Sequence, residues 1–370
     1  MVFLHLYETS VDVLSEVSVL HKVVEFKRNK INGSYWKAGI AAAALLMAAS
    51  VHADYASHPA AQAFIDKLVS EHKFNADEVR AALAGAEKKQ SILDAIARPA
   101  EKTKPWSEYR KIFLGADRVA QGVEFWNTHQ ATLARASKEM GVEEEVIVAI
   151  IGVETRYGRY MGSYRVLDAL ATLGFDYSPR SKFFSSELEN FFLLAREQKQ
   201  NIGDLKGSYA GAMGYGQFIP SSYRAYAVDF DGNGVADIWN DPVDAIGSVA
   251  NYFKRHGWQQ GEPVFSRARI AKDYDQMGLN ERVRPHLTLQ EAAAMGFTPA
   301  EGSFDSDEKV VPLEYEGELG KEFWLGFSNF YTITRYNRSQ MYALAVWQLS
   351  QEILYAYEHQ AAADAVSSQP

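Results

Sequence analysis

Val146-Ile147-Val148-Ala149-Ile150-Ile151-Gly152-Val153-Glu154 decides how this chain is read. Before its last residue the run has no polar face in any register, and a helix that is apolar all round is buried on most sides. Glu143, Glu144 and Glu145 put negative charge in the first turn, where the helix dipole is positive. Gly158 is the expected stop. Glu154 is therefore predicted in the last turn of a buried helix, where low dielectric and the negative helix end both disfavour its carboxylate. A carboxyl kept protonated near neutral pH can give its proton to a glycosidic oxygen. The same residues allow a structural alternative, in which Glu154 pairs with Arg156 or Arg159.

Working outward, Ala61, Phe64, Ile65 and Leu68 recur at helical spacing within a helical stretch from Pro59 to Ala97. Pro99 to Pro105 reads as a linker or long loop. Helical periodicity resumes from Tyr109 to Met140 and again over residues 163–200. Residues 203–240 are rich in glycine and turns, and Pro242 to His256 reads as a helix with Asp241 as its N-cap. Between about Glu262 and Tyr315 the runs Pro263-Val264-Phe265, Arg282-Val283-Arg284 and Lys309-Val310-Val311-Pro312-Leu313 have strand character. Residues 339–361 return to a helical pattern. The expected organisation is an N-terminal extension over 1–53, a helical region over 54–125, a core over 126–261, a small β-containing insertion over 262–315, a C-terminal helical part completing the core over 316–362, and a frayed tail over 363–370. The fold class is mainly α (α+β).

Composition removes several function classes. The chain has 370 residues, 47% of them hydrophobic and 23% charged, as expected of a globular protein with a sizeable core. A net charge of −9 argues against a nucleic-acid partner. With no cysteine, a disulfide framework, a thiol nucleophile, a thiolate metal site and a lipid-bearing N-terminal Cys are all excluded from this sequence. Lys27, Arg28, Lys30 and Lys37 precede an apolar run from Ala38 to Ala49, and Val51-His52-Ala53 offers small residues for cleavage, which together read as a secretory signal peptide. The expectation is a periplasmic protein with no stable membrane anchor after processing. An anchor or buried helix is the alternative reading of that run.

Four segments carry a resemblance. They are Glu154-Thr-Arg-Tyr-Gly158, the stretch Gly207-Ser-Tyr-Ala-Gly-Ala-Met-Gly-Tyr-Gly-Gln-Phe-Ile-Pro-Ser-Ser222, the acidic loop Asp229-Phe-Asp-Gly-Asn-Gly-Val-Ala-Asp-Ile-Trp239, and Asn329-Phe-Tyr-Thr-Ile-Thr-Arg-Tyr-Asn337 with Ser339 and Tyr342. In this order and spacing the chain, from about Ala60 to Tyr357, resembles the membrane-bound lytic transglycosylase B family of peptidoglycan-cleaving enzymes. The resemblance implies a lysozyme-like core with an added helical domain and a small β-domain. It implies that Glu154 is the catalytic acid/base in non-hydrolytic cleavage of the β-1,4 bond from N-acetylmuramic acid (MurNAc) to N-acetylglucosamine (GlcNAc), leaving a 1,6-anhydro ring. It further implies that Ser208 and Asn337 hydrogen-bond the acetamido group, and that Gln217, Tyr336 and Tyr342 line the central subsites. Tyr109, Arg180 and Tyr252 match positions that contact glycan or stem peptide. The implied partners are peptidoglycan glycan strands, with peptidoglycan synthases as possible protein partners. For each polar residue, plain packing or turn formation is the competing reading.

The acidic loop can be read from its residues as well. Asp229, Asp231, Asn233, Gly234 and Asp237 stand at the first, third, fifth, sixth and ninth places of an EF-hand-like loop, with the Val235 carbonyl at the seventh. The usual closing Glu is replaced by Asn240. By resemblance, the loop is longer and Asp244 closes it. A structural Ca2+ is expected, with Na+ as the other hard cation that fits; an Asx-rich turn without metal is the alternative. No organic cofactor is expected. A hydrolytic muramidase and a non-catalytic peptidoglycan-binding protein are the competing functions.

Overall fold

A computed structural model describes residues 54–97 and 104–367, with side chains to residue 360. The N-terminal extension over residues 1–53, with the leader read in it, and most of the loop read from Pro99 to Pro105 lie outside the described residues. The described chain falls into two compact units that divide after Lys88, inside the helical region expected over 54–125.

In the smaller unit, α1 (Ala61–His72) and α2 (Ala76–Ala84) pack on each other, and Phe64, Ile65, Leu68, Val79 and Leu83 are buried. Lys73 adopts φ 59° to end α1, and the Asn75 side chain accepts the N–H groups of Asp77 and Glu78 to start α2.

The larger unit begins with α3 (Gln90–Ile96), the single turn α4 (Trp106–Tyr109) and the long α5 (Ala116–Met140), whose geometry breaks at His129. Next comes α6 (Glu144–Thr155), which holds the apolar run Val146–Val153. Every residue from Val146 to Val153 is buried, and α5, a later helix over Pro242–Arg255 and the C-terminal helix pack around it. Burying each of the Val and Ile side chains of α6 contributes about 1.5–3 kcal/mol. Glu143 is the N-cap residue. Its carboxylate accepts from Trp258 Nε1 (2.6 Å) and the Gly261 N–H (2.6 Å), while Trp126 Nε1 donates to Glu144 (2.9 Å). The helix stops earlier than Gly158. Arg156 takes the left-handed cap position at φ 52°, followed by Tyr157 at 60° and Gly158 at 83°.

The stretch expected to be helical over 163–200 is interrupted. A short strand β1 (Tyr164–Arg165) precedes α7 (Val166–Asp176) and α8 (Ser181–Glu197), and it pairs antiparallel with β2 (Lys206–Gly207). A glycine-rich loop follows, then α9 (Pro220–Tyr226), the acidic loop, and α10 (Pro242–Arg255), whose N-cap is Asp241 with its carboxylate 2.7 Å from the Val243 N–H.

The β-containing part is a five-stranded antiparallel sheet. Its strands are β3 (Phe265–Ile270), β4 (Leu287–Thr288), β5 (Phe297–Pro299), β6 (Lys309–Gly317) and β7 (Gly320–Gly326), in the order β4-β6-β7-β3-β5, with the short helix α11 (Leu289–Ala294) between β4 and β5. The sheet runs past residue 315 because β6 turns at Gly317–Gly320 into β7, which it pairs along its length. Arg282-Val283-Arg284 is not a strand. Pro285 follows it and has no N–H for a ladder, so pairing starts only at Leu287. Two helices complete the core, α12 (Ser328–Tyr336) and α13 (Gln340–Ser367). The latter continues through the stretch expected to fray, where alanine favours helix. No helix among the described residues is long and apolar enough to cross a membrane.

Candidate active site

Glu154 sits at the C-terminal end of α6, partly buried. Tyr342, fully buried on α13, donates its hydroxyl to Glu154 Oε1 at 2.5 Å. Burial and the Glu154 charge push the Tyr342 phenol well above its ordinary range, so it keeps its proton and remains a donor. Tyr109 lies close enough to Tyr342 to act on the same phenol, and Tyr109 too is fully buried. Tyr336 ends α12. Its phenol is likewise raised by burial and by Glu154, and it donates to the Gly216 carbonyl at 2.5 Å. The arginines named as ion-pair candidates point elsewhere: Arg156 Nε donates to Gln121 (2.8 Å) and Arg159 reaches Glu124 (3.5 Å).

The glycine-rich loop forms the wall beside this carboxyl. At Gly214 a side chain would stand 2.3 Å from the Ile238 carbonyl, and at Gly158 it would stand 2.1 Å from the Tyr215 ring, so both close approaches require glycine. Gln217, held at φ 51°, donates from its amide to Met161 O (3.2 Å) and Gly214 O (3.0 Å). Ser208 is buried, and its Oγ accepts the Ala210 and Ala212 N–H groups at 3.3 and 3.2 Å. Its own O–H proton is not used in either bond. Asn337, also buried, caps α12, and its Oδ1 accepts the Ser339 N–H at 3.1 Å, which fixes the amide orientation. Tyr252 packs edge-on against Tyr336 (4.6 Å) and donates to Arg335 O (2.6 Å). Glu154, Tyr342, Tyr336, Tyr109, Tyr252 and the loop bearing Ser208 and Gln217 thus belong to one connected constellation. The Arg180 guanidinium lies over the rings of Phe183 (4.3 Å) and Phe184 (5.2 Å). A groove of about 940 Å³ between α5 and α13, lined by Val119, Val123, Asn127, Gln351 and Tyr355 among others, contains none of these side chains.

Sequence reasoning assigned no role to three residues here. Thr155 bonds to the Tyr215 carbonyl, Arg118 donates to the Gly152 carbonyl (2.6 Å), and His256 stacks on Tyr252 (4.0 Å). Thr155 stood in the quoted motif, whereas the other two carry no local signal.

In the acidic loop, Asp229, Asp231 and Asp244 each offer an oxygen within 4.8 Å of the others. Asp244 is fully buried on α10 and accepts the N–H groups of Phe230 (2.7 Å), Asp231 (3.2 Å) and Asp237 (2.8 Å). Burial raises its carboxyl against these donors. Asp229 accepts from Gly232, Asn233 and Gly234, and the Asn233 amide bridges Asp231 and the Val235 N–H. Asp237 is outside the close trio. Its oxygens face Trp239, Asn240 and the Asn240 amide. A hard, oxygen-only donor set around a buried carboxylate fits Ca2+ or Na+.

Comparison with known proteins agrees with this geometry. The family model for the transglycosylase SLT domain matches residues 56–351. Membrane-bound lytic murein transglycosylase B of Escherichia coli (strain K12) is 46% identical over 312 residues, covering 82% of this chain and 85% of that protein. The structure of the catenated lytic transglycosylase SltB1 from Pseudomonas aeruginosa superposes with a TM-score of 0.79 at 52% identity, covering 82% of this chain and all (100%) of that one. The Escherichia coli lytic transglycosylase Slt35 in complex with calcium superposes at 0.75 with 46% identity, covering 82% and 95%. Matched along most of its length in both sequence and fold, the chain belongs to the membrane-bound lytic murein transglycosylase B family.

Proposed function

We propose that this lytic transglycosylase cleaves the MurNAc-β-1,4-GlcNAc bond of peptidoglycan without water, with Glu154 as its single acid/base. The observation that carries the reading is the 2.5 Å bond from Tyr342 to Glu154 Oε1 at the end of a buried helix. Tyr342 holds its proton, so Oε1 is an acceptor in both states of the carboxyl, and the transferable proton belongs on Oε2. Glu154 gives that proton to the GlcNAc oxygen as the C1–O bond breaks, while the 2-acetamido oxygen of MurNAc bonds to C1. The resulting carboxylate then takes the proton of the MurNAc 6-hydroxyl, whose oxygen displaces the acetamido oxygen at C1 and closes the anhydro ring. One proton leaves Glu154 and one returns. The second carboxylate of an ordinary glycosidase is replaced by the substrate, whose tethered groups act at high effective concentration. The Ser208 O–H and the Asn337 amide orient the acetamido group and stabilise the charge that develops beside it. Gln217, Tyr336 and Tyr342 belong to the central subsites, and Tyr109, Arg180 and Tyr252 to glycan or stem-peptide contacts.

Asp229, Asp231, Asn233, the Val235 carbonyl, Asp237 and Asp244 would hold Ca2+, as supported by the donor chemistry of the loop and by the calcium complex of the Escherichia coli relative. The ion supplies charge balance and rigidity and takes no part in proton transfer. The substrate lies outside the inner membrane, which matches the leader read over residues 27–53 and a periplasmic location.

Mass spectrometry of digests of purified sacculi tests the reaction. Muropeptides one water lighter than reducing-end products are expected; reducing ends alone would make the enzyme a hydrolase.

A further inference from the structure

The turn after Glu154 is strained. Arg156, Tyr157 and Gly158 take φ values of 52°, 60° and 83° in succession, and the left-handed region costs a non-glycine residue about 1–2 kcal/mol. Such conformations persist only where the surroundings over-determine them, and they gather at functional sites. Tyr157 is held by its hydroxyl on the Arg118 carbonyl (2.9 Å) and by its ring on Gly152, where a side chain would meet the phenol at 2.6 Å. Arg118 in turn donates to the Gly152 carbonyl.

Thr155 lies at the centre of this arrangement and is 1% exposed. Its Oγ1 accepts the Gly158 N–H at 3.0 Å, which closes the turn. Its single proton has two carbonyl acceptors in reach, Tyr215 at 2.9 Å and Ile151 at 3.2 Å. The shorter bond ties α6 to the glycine-rich wall. The Tyr215 N–H is itself held by the Ile238 carbonyl at 3.0 Å, so this residue is clamped at both its N–H and its carbonyl, and its ring covers Gly158. One hydroxyl therefore joins the last helical turn, the strained turn and the glycine-rich loop, one residue from the carboxyl.

We propose that Thr155 is a positioning residue for Glu154, its hydroxyl fixing the carboxyl relative to the loop that carries Ser208 and Gln217. The proposal rests on Glu154 as the acid/base. It concerns proton delivery rather than sugar binding, so its signature is a loss in kcat with KM retained. Misplacing a reacting group by about 1 Å can cost about a hundredfold in rate.

The test is steady-state kinetics on a soluble oligomer of alternating GlcNAc and MurNAc, with thermal melting to confirm folding. Thr155→Val, which keeps shape and loses the hydroxyl, is expected to lower kcat about tenfold to a hundredfold with KM within about threefold. Thr155→Ser is expected to stay within about threefold of wild type in both. Wild-type kcat in the folded valine variant, or a loss confined to KM, overturns the proposal. If the valine variant does not fold, the serine variant decides: a loss of about tenfold or more would assign the role to the methyl group and overturn the proposal. Glu154→Gln runs alongside. Full activity there sinks the acid/base reading and this inference together, whereas a dead Glu154→Gln beside a fully active Thr155→Val sinks this inference alone.

Discussion

Asp244 and Glu154 are both carboxyls at the ends of buried helices, and what reaches their oxygens sets them apart. Asp244 stands in the first turn of α10, where the dipole favours an anion, and three backbone N–H groups point at it. Glu154 stands in the last turn of α6, where the dipole opposes an anion, and accepts the Tyr342 hydroxyl on Oε1. Asp244 accepts three backbone N–H groups and lies beside Asp229 and Asp231, which fits it to share a cation even though burial raises its carboxyl. Glu154 is placed so that either protonation state can be held. Two carboxyls of like chemistry are thus set in opposite fields by helix polarity.

The comparison breaks most sharply at Glu154. Glu154→Gln keeps an acceptor for Tyr342 and removes the proton, so release of anhydro muropeptides is expected to fall about a thousandfold or more, with an unchanged melting temperature. A variant that still clears sacculi would remove Glu154 from the chemistry. Tyr342→Phe comes next. A hydrogen bond to a charged group contributes about 1.5–3 kcal/mol, so kcat is expected to fall roughly tenfold to a hundredfold. An unchanged kcat would mean that the short bond does not hold the carboxyl for reaction.

The two regions also differ in how far the sequence announces them. The helix α6 was legible because its polar face vanishes over Val146–Val153, and burial follows from that directly. The acidic loop was legible because its oxygen-bearing side chains repeat at short spacing within one segment. The partners of Glu154 were not legible from pattern. Tyr342 is 188 residues away in sequence, and only resemblance pointed to it. Thr155 and Tyr215 are separated by 60 residues, and Arg118 and Gly152 by 34, so no local period could join them. Arg282-Val283-Arg284 misled for the converse reason: its alternation fits a strand, but Pro285 denies it a ladder.

Asp244→Asn sharpens the other half of the comparison. The amide nitrogen would face a backbone N–H that now donates to a carboxylate oxygen, so stability is expected to drop by about 1–3 kcal/mol while kcat on the soluble oligomer stays near wild type. Calcium at about a hundredfold over its Kd should add about 2.7 kcal/mol to the wild type and little to the variant. Denaturant titrations with calcium and with chelator measure both. Equal stabilisation of the two proteins by calcium would place the ion elsewhere.

The smallest expected effect lies behind the cleft wall, at His256. Its Nδ1–H donates to the Tyr252 carbonyl (2.7 Å), its ring stacks on Tyr252, and its Nε2 faces the Tyr226 hydroxyl (3.4 Å). Burial lowers its pKa, and the nearby Arg335 and Arg255 also disfavour its cation. The sign follows from proton counting. Below about pH 6.5 the unfolded chain takes up a proton that folded His256 refuses, so its contribution to stability is full above that pH. The contribution shrinks as pH falls, until the lowered folded pKa is passed. His129, lowered by burial, acts in the same direction, whereas Glu144, Glu145, Glu187 and Glu352, raised by burial, act in the opposite one. The wild-type slope alone is therefore a mixture, and the readout is its difference from His256→Asn, which keeps a donor near Nδ1 and does not titrate. Between about pH 7.5 and about pH 5.5, on either side of the ordinary histidine pKa, unfolding free energies from denaturant titration should fall more steeply in the wild type than in the variant. Parallel slopes would show that His256 protonates equally in both states, and the wall behind Tyr252 would then be wetter than the packing around it allows.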